Sequence, residues 1–179
     1  PRIERSRSIY GYPSMTGVYL SLGSNIKNRA ENLRAAIAAL PGAGIRVLRV
    51  SRIYETEPVD YLEQDWFLNC VLKGETELTA GEALQRLRAI EAAMGSAKMF
   101  AKGPRLIDLD ILFFGDAVVD TAELQLPHPR MEQRRFVLVP LAEIAPEMRH
   151  PVSGQSATEM LRATKDSSEV RLADAGAAQ

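Results

Sequence analysis

Residues 105–114, Arg-Leu-Ile-Asp-Leu-Asp-Ile-Leu-Phe-Phe, form the clearest strand signal in the chain, and Gly115-Asp116 ends it. Successive side chains of a strand point to opposite faces. The alternation therefore predicts one wholly apolar face: Ile107, Leu109, Ile111 and Phe113. The other face combines two acids with two apolar side chains: Asp108, Asp110, Leu112 and Phe114. A strand of this kind needs a core on one side and a cleft or solvent on the other.

The elements around this strand predict an α+β fold. Three earlier segments are rich in β-forming residues: 17–21, 45–56 and 66–74. Helix starts are indicated by Asn28 with Glu31 and by Thr79 with Glu82. The order strand, helix, two strands, helix, strand is that of the ferredoxin-like split βαβ pattern. We therefore predict an α/β sandwich, an antiparallel-rich sheet with helices packed on its faces.

Composition restricts the kind of protein. The 179 residues suit one domain, and 22 basic against 23 acidic side chains argue against a nucleic-acid or membrane-surface binder. The one cysteine, Cys70, excludes an intramolecular disulfide and fits a reducing compartment, so we expect a cytoplasmic protein. We expect a single domain over 15–164, preceded by a disordered extension over 1–14 and followed by a frayed polar tail over 165–179.

Asp108 and Asp110 are the candidate metal ligands. Two carboxylates on one strand face lie about 7 Å apart, which allows them to bind one hard cation or two adjacent ones. Two negative charges beside apolar neighbours are unfavourable unless a cation neutralises them, and Mg²⁺ held by carboxylates and substrate phosphates fits this pattern. The same pattern also fits a solvent-facing strand whose acids form structural ion pairs.

Three further features each have a functional and a plain structural interpretation. Glu91 lies on the apolar stripe of its helix, where a carboxylate either meets a cation or is a solvated edge residue. The loop over 95–103, with Lys98 and Lys102, suits a lid over a polyphosphate or an ordinary polar connection. His128 stands between two prolines, which orient it either toward a phosphate or in a surface turn.

Taken in order, these motifs resemble the hydroxymethyl-dihydropterin pyrophosphokinase family. The resemblance covers about residues 18–160 and includes Leu-Ser-Leu-Gly-Ser-Asn at 20–25, Tyr-Glu-Thr-Glu-Pro at 54–58, Phe-Leu-Asn at 67–69, Ile-Glu at 90–91, Gly-Pro-Arg at 103–105, Asp-Leu-Asp at 108–110, Leu-Pro-His-Pro-Arg-Met at 126–131 and Arg-Arg-Phe at 134–136. Each motif is weak alone, but the ordered set is specific. The sequence has neither a P-loop nor a dinucleotide fingerprint.

The resemblance implies an ATP-dependent kinase of folate synthesis. Such an enzyme moves the β,γ-diphosphate of ATP to the hydroxymethyl group of 6-hydroxymethyl-7,8-dihydropterin and releases AMP. The implied catalytic residues are Arg105, Asp108 and Asp110, with two Mg²⁺ ions on the two acids. The implied ATP contacts are Glu91, Lys98, Lys102, Arg105, His128 and Arg134. The implied pterin contacts are Gly23, Thr56, Pro58, Val59, Phe67, Asn69 and Phe136. We expect a monomer that binds these small molecules, and no nucleic acid or membrane.

One segment departs from the family pattern. Gly95-Ser96-Ala97-Lys98 stands where the family has Gly-Arg and a second arginine two residues on, and the aromatic expected near Lys102 is missing. Ser96 supplies no cation, and Lys98 offers a point charge in place of a bidentate fork. We expect an active enzyme with altered lid contacts. Two alternatives stay open: a two-metal phosphohydrolase that activates water, and a non-catalytic pterin- or nucleotide-binding module.

Overall fold

The computed structural model describes residues 14–59, 62–96 and 104–173. Within them the chain forms eight strands: β1 (Thr16–Ser24), β2 (Ile45–Val50), β3 (Tyr54–Thr56), β4 (Phe67–Thr76), β5 (Asp108–Phe114), β6 (Val119–Asp120), β7 (Gln125–Leu126) and β8 (Val170–Leu172). It also forms four α-helices: α1 (Arg29–Ala39), α2 (Ala80–Ala93), α3 (Arg135–Ile144) and α4 (Ala157–Ala163). In these ranges, no helix is long and apolar enough to cross a membrane.

The main sheet is antiparallel throughout. Its strands lie in the order β5-β1-β4-β3-β8, and β2 pairs with β4 outside this path. One core cluster joins α1 and α2 to one face of the sheet, and a second joins α3 and α4 to the other face. This arrangement confirms the predicted α+β sandwich with helices on both faces.

Capping residues fix where the helices begin. The predicted N-caps at Asn28 and Thr79 are both present, and Thr79 forms a reciprocal capping box with Glu82. A second capping box, Ser156 with Glu159, opens α4. Each box satisfies backbone N–H groups that a helix leaves without an internal partner, so these short polar motifs place the helix starts locally.

The predicted alternation of residues 105–114 fails near their end because β5 contains a β-bulge. The register of β1 against β5 shifts between Tyr19 and Leu20, which leaves Leu112 as an extra residue. Beyond the bulge the faces exchange: Phe113 packs with the α3 and α4 cluster, and Phe114 joins the α1 and α2 cluster. The predicted faces of these two phenylalanines were therefore wrong. The two acids precede the bulge and keep the predicted face.

The last described strand, β8, lies in the segment that was expected to be a frayed tail. It pairs with β3, with Leu172 opposite Tyr54 and Val170 opposite Thr56. The expectation of fraying is therefore wrong for this strand. Residues 1–13 and 174–179 lie outside the described residues, and the domain limits stay a prediction.

Arg171 anchors β8 to the sheet. Its guanidinium donates to Glu55 through Nε at 3.2 Å and Nη2 at 2.8 Å, and it lies over the Trp66 ring at 4.6 Å. Arg29 joins the same network by donating to Glu55 at 3.0 Å and to the Trp66 carbonyl at 2.7 Å. The two arginines hold the pKa of the Glu55 carboxyl below its ordinary value. The strand β8 is thus tied to β3 and to Trp66, the residue that precedes β4.

We expect Arg171→Ala to lower the free energy of unfolding by about 1 kcal/mol, because it removes an exposed bidentate ion pair and a cation–π contact together. The matched control is Arg34→Ala, which removes one exposed pair with Glu31 on α1 and should change stability by less than about 0.5 kcal/mol. Urea titration followed by far-UV circular dichroism measures both. Equal effects of the two substitutions would contradict the anchoring role of Arg171.

Candidate active site

A cleft of about 200 Å³ opens on the α3 side of the main sheet. Its apolar and neutral part contains most of the residues predicted to contact a pterin: Thr56, Pro58, Val59, Phe67, Asn69 and Phe136. Its charged part contains five other predicted site residues: Arg105, Asp108, Asp110, His128 and Arg134. The fold thus brings together side chains that are far apart in the sequence.

Gly23, the remaining predicted pterin contact, does not line the cleft itself but lies in the sheet between two residues that do. In the sheet it pairs with Asn69 of β4 on one side and with Asp108 of β5 on the other. A Cβ atom at this position would lie 2.6 Å from the Asn69 Oδ1 atom and 3.7 Å from the Phe67 ring. Any side chain at this position would therefore displace Asn69, so glycine leaves the space that the Asn69 amide occupies.

The Asn69 side chain is held in one orientation inside the cleft. It is buried, and its Nδ2 atom donates to the Thr56 Oγ1 atom at 2.6 Å. Phe67 and Phe136 line the same space, and the Arg134 guanidinium lies 5.4 Å from the centre of the Phe136 ring. A fixed amide between aromatic walls suits a flat heterocycle with an amide-like edge.

The two acids lie at the charged end of the cleft. Arg105 Nη1 donates to Asp108 Oδ2 at 2.5 Å. Desolvation by the surrounding protein and the charge of Asp108 raise the pKa of Asp110 to about 7, although 42% of its side chain is still accessible through the cleft. Both effects disfavour the ionised form of Asp110, because burial removes solvating water and Asp108 adds a negative charge on the same strand face. Arg105 and Arg134 act in the opposite direction on the Asp110 pKa, but the rise prevails.

This donor set fits Mg²⁺. Across residues 14–59, 62–96 and 104–173, no group of three or more His, Cys, Asp or Glu side chains converges on a common point. A complete zinc site is therefore not formed by these residues. Mg²⁺ commonly uses one or two carboxylates and completes its shell with water and phosphate oxygens, which is the role that Asp108 and Asp110 can fill.

His128 is fixed beside the acids by the bulge of β5. Its backbone N–H donates to the Leu112 carbonyl at 3.0 Å, and its Nδ1 atom accepts from the Arg130 backbone N–H at 3.2 Å. Burial and the nearby Arg134 lower its pKa to about 4, so the ring is neutral at pH 7. Because Nδ1 accepts, the proton is assigned to Nε2, which lies 4.0 Å from Asp110 Oδ2. The ring can donate to an anionic oxygen in the cleft.

Glu91 lies apart from the aromatic cleft. It lines a second, mostly polar cleft of about 370 Å³ next to α2, which shares Asp108, Asp110 and His128 with the first. Its Oε1 atom accepts from the Leu109 backbone N–H at 2.7 Å. The structure thus brings Glu91 to the β5 backbone. The other two predicted ATP contacts, Lys98 and Lys102, lie outside the described residues.

Sequence reasoning did not assign a role to Asn25, although it falls in the matched Gly-Ser-Asn motif. The side chain is buried; its Oδ1 atom accepts from the Arg105 backbone N–H at 2.8 Å, and its Nδ2 atom donates to the Gln64 side chain at 2.9 Å and the Asp65 carbonyl at 3.1 Å. Asn25 therefore joins two segments at the cleft. The signal available in the sequence was an asparagine directly after a predicted strand, inside a motif that matches the family.

Two bacterial relatives are similar to this chain over nearly their whole length. Both are named 2-amino-4-hydroxy-6-hydroxymethyldihydropteridine pyrophosphokinase. The one from Methylorubrum extorquens is 44% identical over 82% of this chain and 92% of its own length. The one from Bacillus subtilis is 42% identical over 85% of this chain and 92% of its own length.

Other relatives are longer proteins. The folic acid synthesis protein fol1 of Pneumocystis carinii is 43% identical over 78% of this chain, which spans only 19% of that protein. A crystal structure of the HPPK-DHPS protein of Plasmodium falciparum superposes with a TM-score of 0.68 at 16% identity, over 84% of this chain and 43% of that one, and so supports the fold.

The family comparison covers the segments that build both clefts. The family model of 7,8-dihydro-6-hydroxymethylpterin-pyrophosphokinase (HPPK) matches residues 19–146, from β1 to the end of α3. Together with the two bacterial relatives of similar length, this match shows that the chain belongs to the HPPK family.

Proposed function

We propose that this chain transfers the β,γ-diphosphate of ATP to the hydroxymethyl group of 6-hydroxymethyl-7,8-dihydropterin and releases AMP, a step of folate synthesis. Family membership supports the reaction. The observation that carries the proposal is one cleft in which Asp108 and Asp110 stand across Gly23 from the Asn69 amide and the aromatic walls. This juxtaposition suits a flat acceptor whose reactive arm points at a metal-bound phosphate. We further propose a cytoplasmic monomer.

The aromatic part of the cleft is the proposed pterin site. Phe67 and Phe136 contact the faces of the ring, while Asn69 and Thr56 match the hydrogen-bonding groups along its edge. The Asn69–Thr56 hydrogen bond holds the amide ready before the substrate arrives, so little entropy is lost on binding. Pro58 and Val59 line the entrance on the β3 side.

The polar cleft beside α2 is the proposed nucleotide site. It meets the aromatic cleft at Asp108, Asp110 and His128, so a triphosphate that extends from it reaches the acids. Arg105, Arg134 and the neutral His128 supply donors for phosphate oxygens at this junction. Lys98 and Lys102 remain proposed contacts from the 97–103 segment.

The chain positions the two substrates and balances charge. Asp108 and Asp110 would hold Mg²⁺, for which we propose two ions, and the metal would neutralise charge at the phosphate oxygens. The hydroxymethyl oxygen loses its proton to water as it forms a bond to the β-phosphorus. The bond from that phosphorus to the oxygen it shares with the α-phosphate breaks, and AMP leaves with that oxygen. Arg105 and Arg134 stabilise negative charge as it shifts toward the leaving group, and the closed walls orient the acceptor in line.

The phosphohydrolase alternative is less well supported. A hydrolase requires only water at the acids. The Asn69 amide, held beside Gly23 by its hydrogen bond to Thr56, would then have no role. A non-catalytic binding module would have no need for two acids on one strand face with an unfavourably raised Asp110 pKa.

Incubation with ATP, Mg²⁺ and the reduced pterin separates the three. Pterin-dependent AMP supports the kinase, pterin-independent phosphate supports the hydrolase, and binding without turnover supports the module.

We expect Asp108→Asn combined with Asp110→Asn to lower kcat by at least about 100-fold, because the site loses both charges that hold the metal. Chromatographic detection of AMP in the presence of the pterin measures the rate. The control is Asp116→Asn, an exposed acid just after β5, which should leave the rate unchanged. Undiminished activity of the double variant would contradict the proposed metal site.

We expect Gly23→Ala to raise the pterin Kd by about 10-fold or more, because the new Cβ atom displaces the Asn69 amide from its position in the cleft. The affinity for an ATP analogue should stay within about 2-fold, and isothermal titration calorimetry measures both. Gly17→Ala is the matched control on the same strand, since a Cβ atom there meets nothing within 4 Å. If both alanine variants bind the pterin like the wild type, the proposed role of Gly23 in leaving space for the Asn69 amide is wrong.

A further inference from the structure

The strand that carries the two acids lies at an edge of the main sheet. Among the described strands of that sheet, β5 has only β1 as a neighbour. An edge strand directs alternate backbone N–H and C=O groups away from the sheet, where they need other partners. In this protein side chains from the end of α2 supply such partners on both sides of Asp108.

Two side chains make these contacts. Ser96 Oγ donates to the Ile107 carbonyl at 2.5 Å and accepts from the Ile107 backbone N–H at 3.3 Å. Glu91 Oε1 accepts from the Leu109 backbone N–H at 2.7 Å. The residues before and after Asp108 are therefore both bound to the same helix end. We name Ser96 and Glu91, with these contacts, the edge clamp.

The geometry of the helix end fixes the position of Ser96. Gly95 adopts a left-handed backbone conformation with φ of 77°, and its N–H donates to the Ala92 carbonyl at 3.0 Å. The Ser96 N–H donates to the Glu91 carbonyl at 2.9 Å. This pair of bonds is a Schellman motif, which ends the helix and turns the next residue in a defined direction. Ser96 is thus held by the backbone and is directed to β5.

The helix that carries the edge clamp is itself firmly held. Leu87 and Ile90 of α2 are buried in the core cluster that also contains Leu109 and Ile111 of β5. The capping box at Thr79 secures the other end of the helix. A displacement of β5 relative to α2 would therefore have to break both the apolar packing and the edge clamp.

We propose that Ser96 is a positioning residue that fixes the start of β5 and, through it, the Asp108 carboxylate for metal binding. The inference rests on the proposed function for its consequence in catalysis. A hydroxyl both donates and accepts, so Ser96 satisfies the N–H and the C=O of one residue at once. Alanine can do neither, and arginine offers donors only. The family pattern has an arginine at this position, whereas in this chain the serine side chain contacts the strand.

The test compares three substitutions at Ser96 with one control. Ser96→Ala removes the contact, Ser96→Thr keeps the hydroxyl, and Ser96→Arg adds the missing cation while it removes the hydroxyl. Ser153→Ala is the control, since Ser153 also donates through its hydroxyl, to Glu132 at 2.9 Å, but on an exposed part of the surface. Mn²⁺ binding in the presence of α,β-methylene-ATP is followed by electron paramagnetic resonance. Amide hydrogen exchange and steady-state kinetics complete the set.

We expect Ser96→Ala to weaken Mn²⁺ binding by about 5- to 10-fold, since a displaced carboxylate loses part of its ligand geometry. It should lower kcat similarly, speed exchange of the Ile107 amide and leave the pterin Kd unchanged. Ser96→Thr should restore wild-type values, whereas Ser96→Arg should resemble Ser96→Ala despite its added charge. Ser153→Ala should match the wild type in every measurement.

Two results would overturn the proposal. One is wild-type Mn²⁺ binding by Ser96→Ala, which would make the contact a feature of stability alone. The other is tighter analogue binding and faster turnover by Ser96→Arg, which would show that the position acts through charge. A wild-type chain that forms no pterin-dependent AMP would instead refute the proposed function, and the Mn²⁺ and exchange comparisons would still decide whether Ser96 positions the acid.

Discussion

The position of Asp108 and Asp110 on one strand face is the constraint on which the rest of the site depends. Desolvation and the charge of Asp108 together raise the pKa of Asp110 to about 7. Such a pair is stable in its charged form only with a cation or an array of positive groups. Arg105 and Arg134 place positive charge beside the pair, and the proposed magnesium would add to it. The proposed polyphosphate substrate would be attracted by the same positive charge.

The sheet links this charged pair to the neutral part of the cleft. Because β1 runs between β5 and β4, Gly23 lies between Asp108 on one neighbouring strand and Asn69 on the other. Strand neighbours lie about 4.8 Å apart, so acid and amide are about two strand spacings from each other. The proposed pterin and the proposed metal-bound phosphate can therefore lie next to each other above Gly23, because a residue without a side chain leaves space for both.

Local patterns predicted much of the fold because they act within a few residues. Capping at Asn28 and Thr79 and the strand character of 105–114 depend on short-range hydrogen bonds and alternation. The bulge at Leu112 was not predictable in this way, since it results from the register of β1 against β5. The strand β8 was also missed, because its three residues, Val-Arg-Leu, are too few to give a strand pattern and become a strand only by pairing with β3 and by the Arg171 contacts.

The sequence by itself determined the residue types of the site: two acids two positions apart, a glycine at a strand end, a rigid histidine and a family pattern that joined them. Tertiary structure alone decided what those residues contact. Glu91 and Ser96 bind the backbone of an edge strand, and Asn25 joins two segments, because their partners are distant in sequence or unpaired until the sheet forms. Residue chemistry is set along the chain, whereas the pairing of polar groups is settled only when the chain is folded.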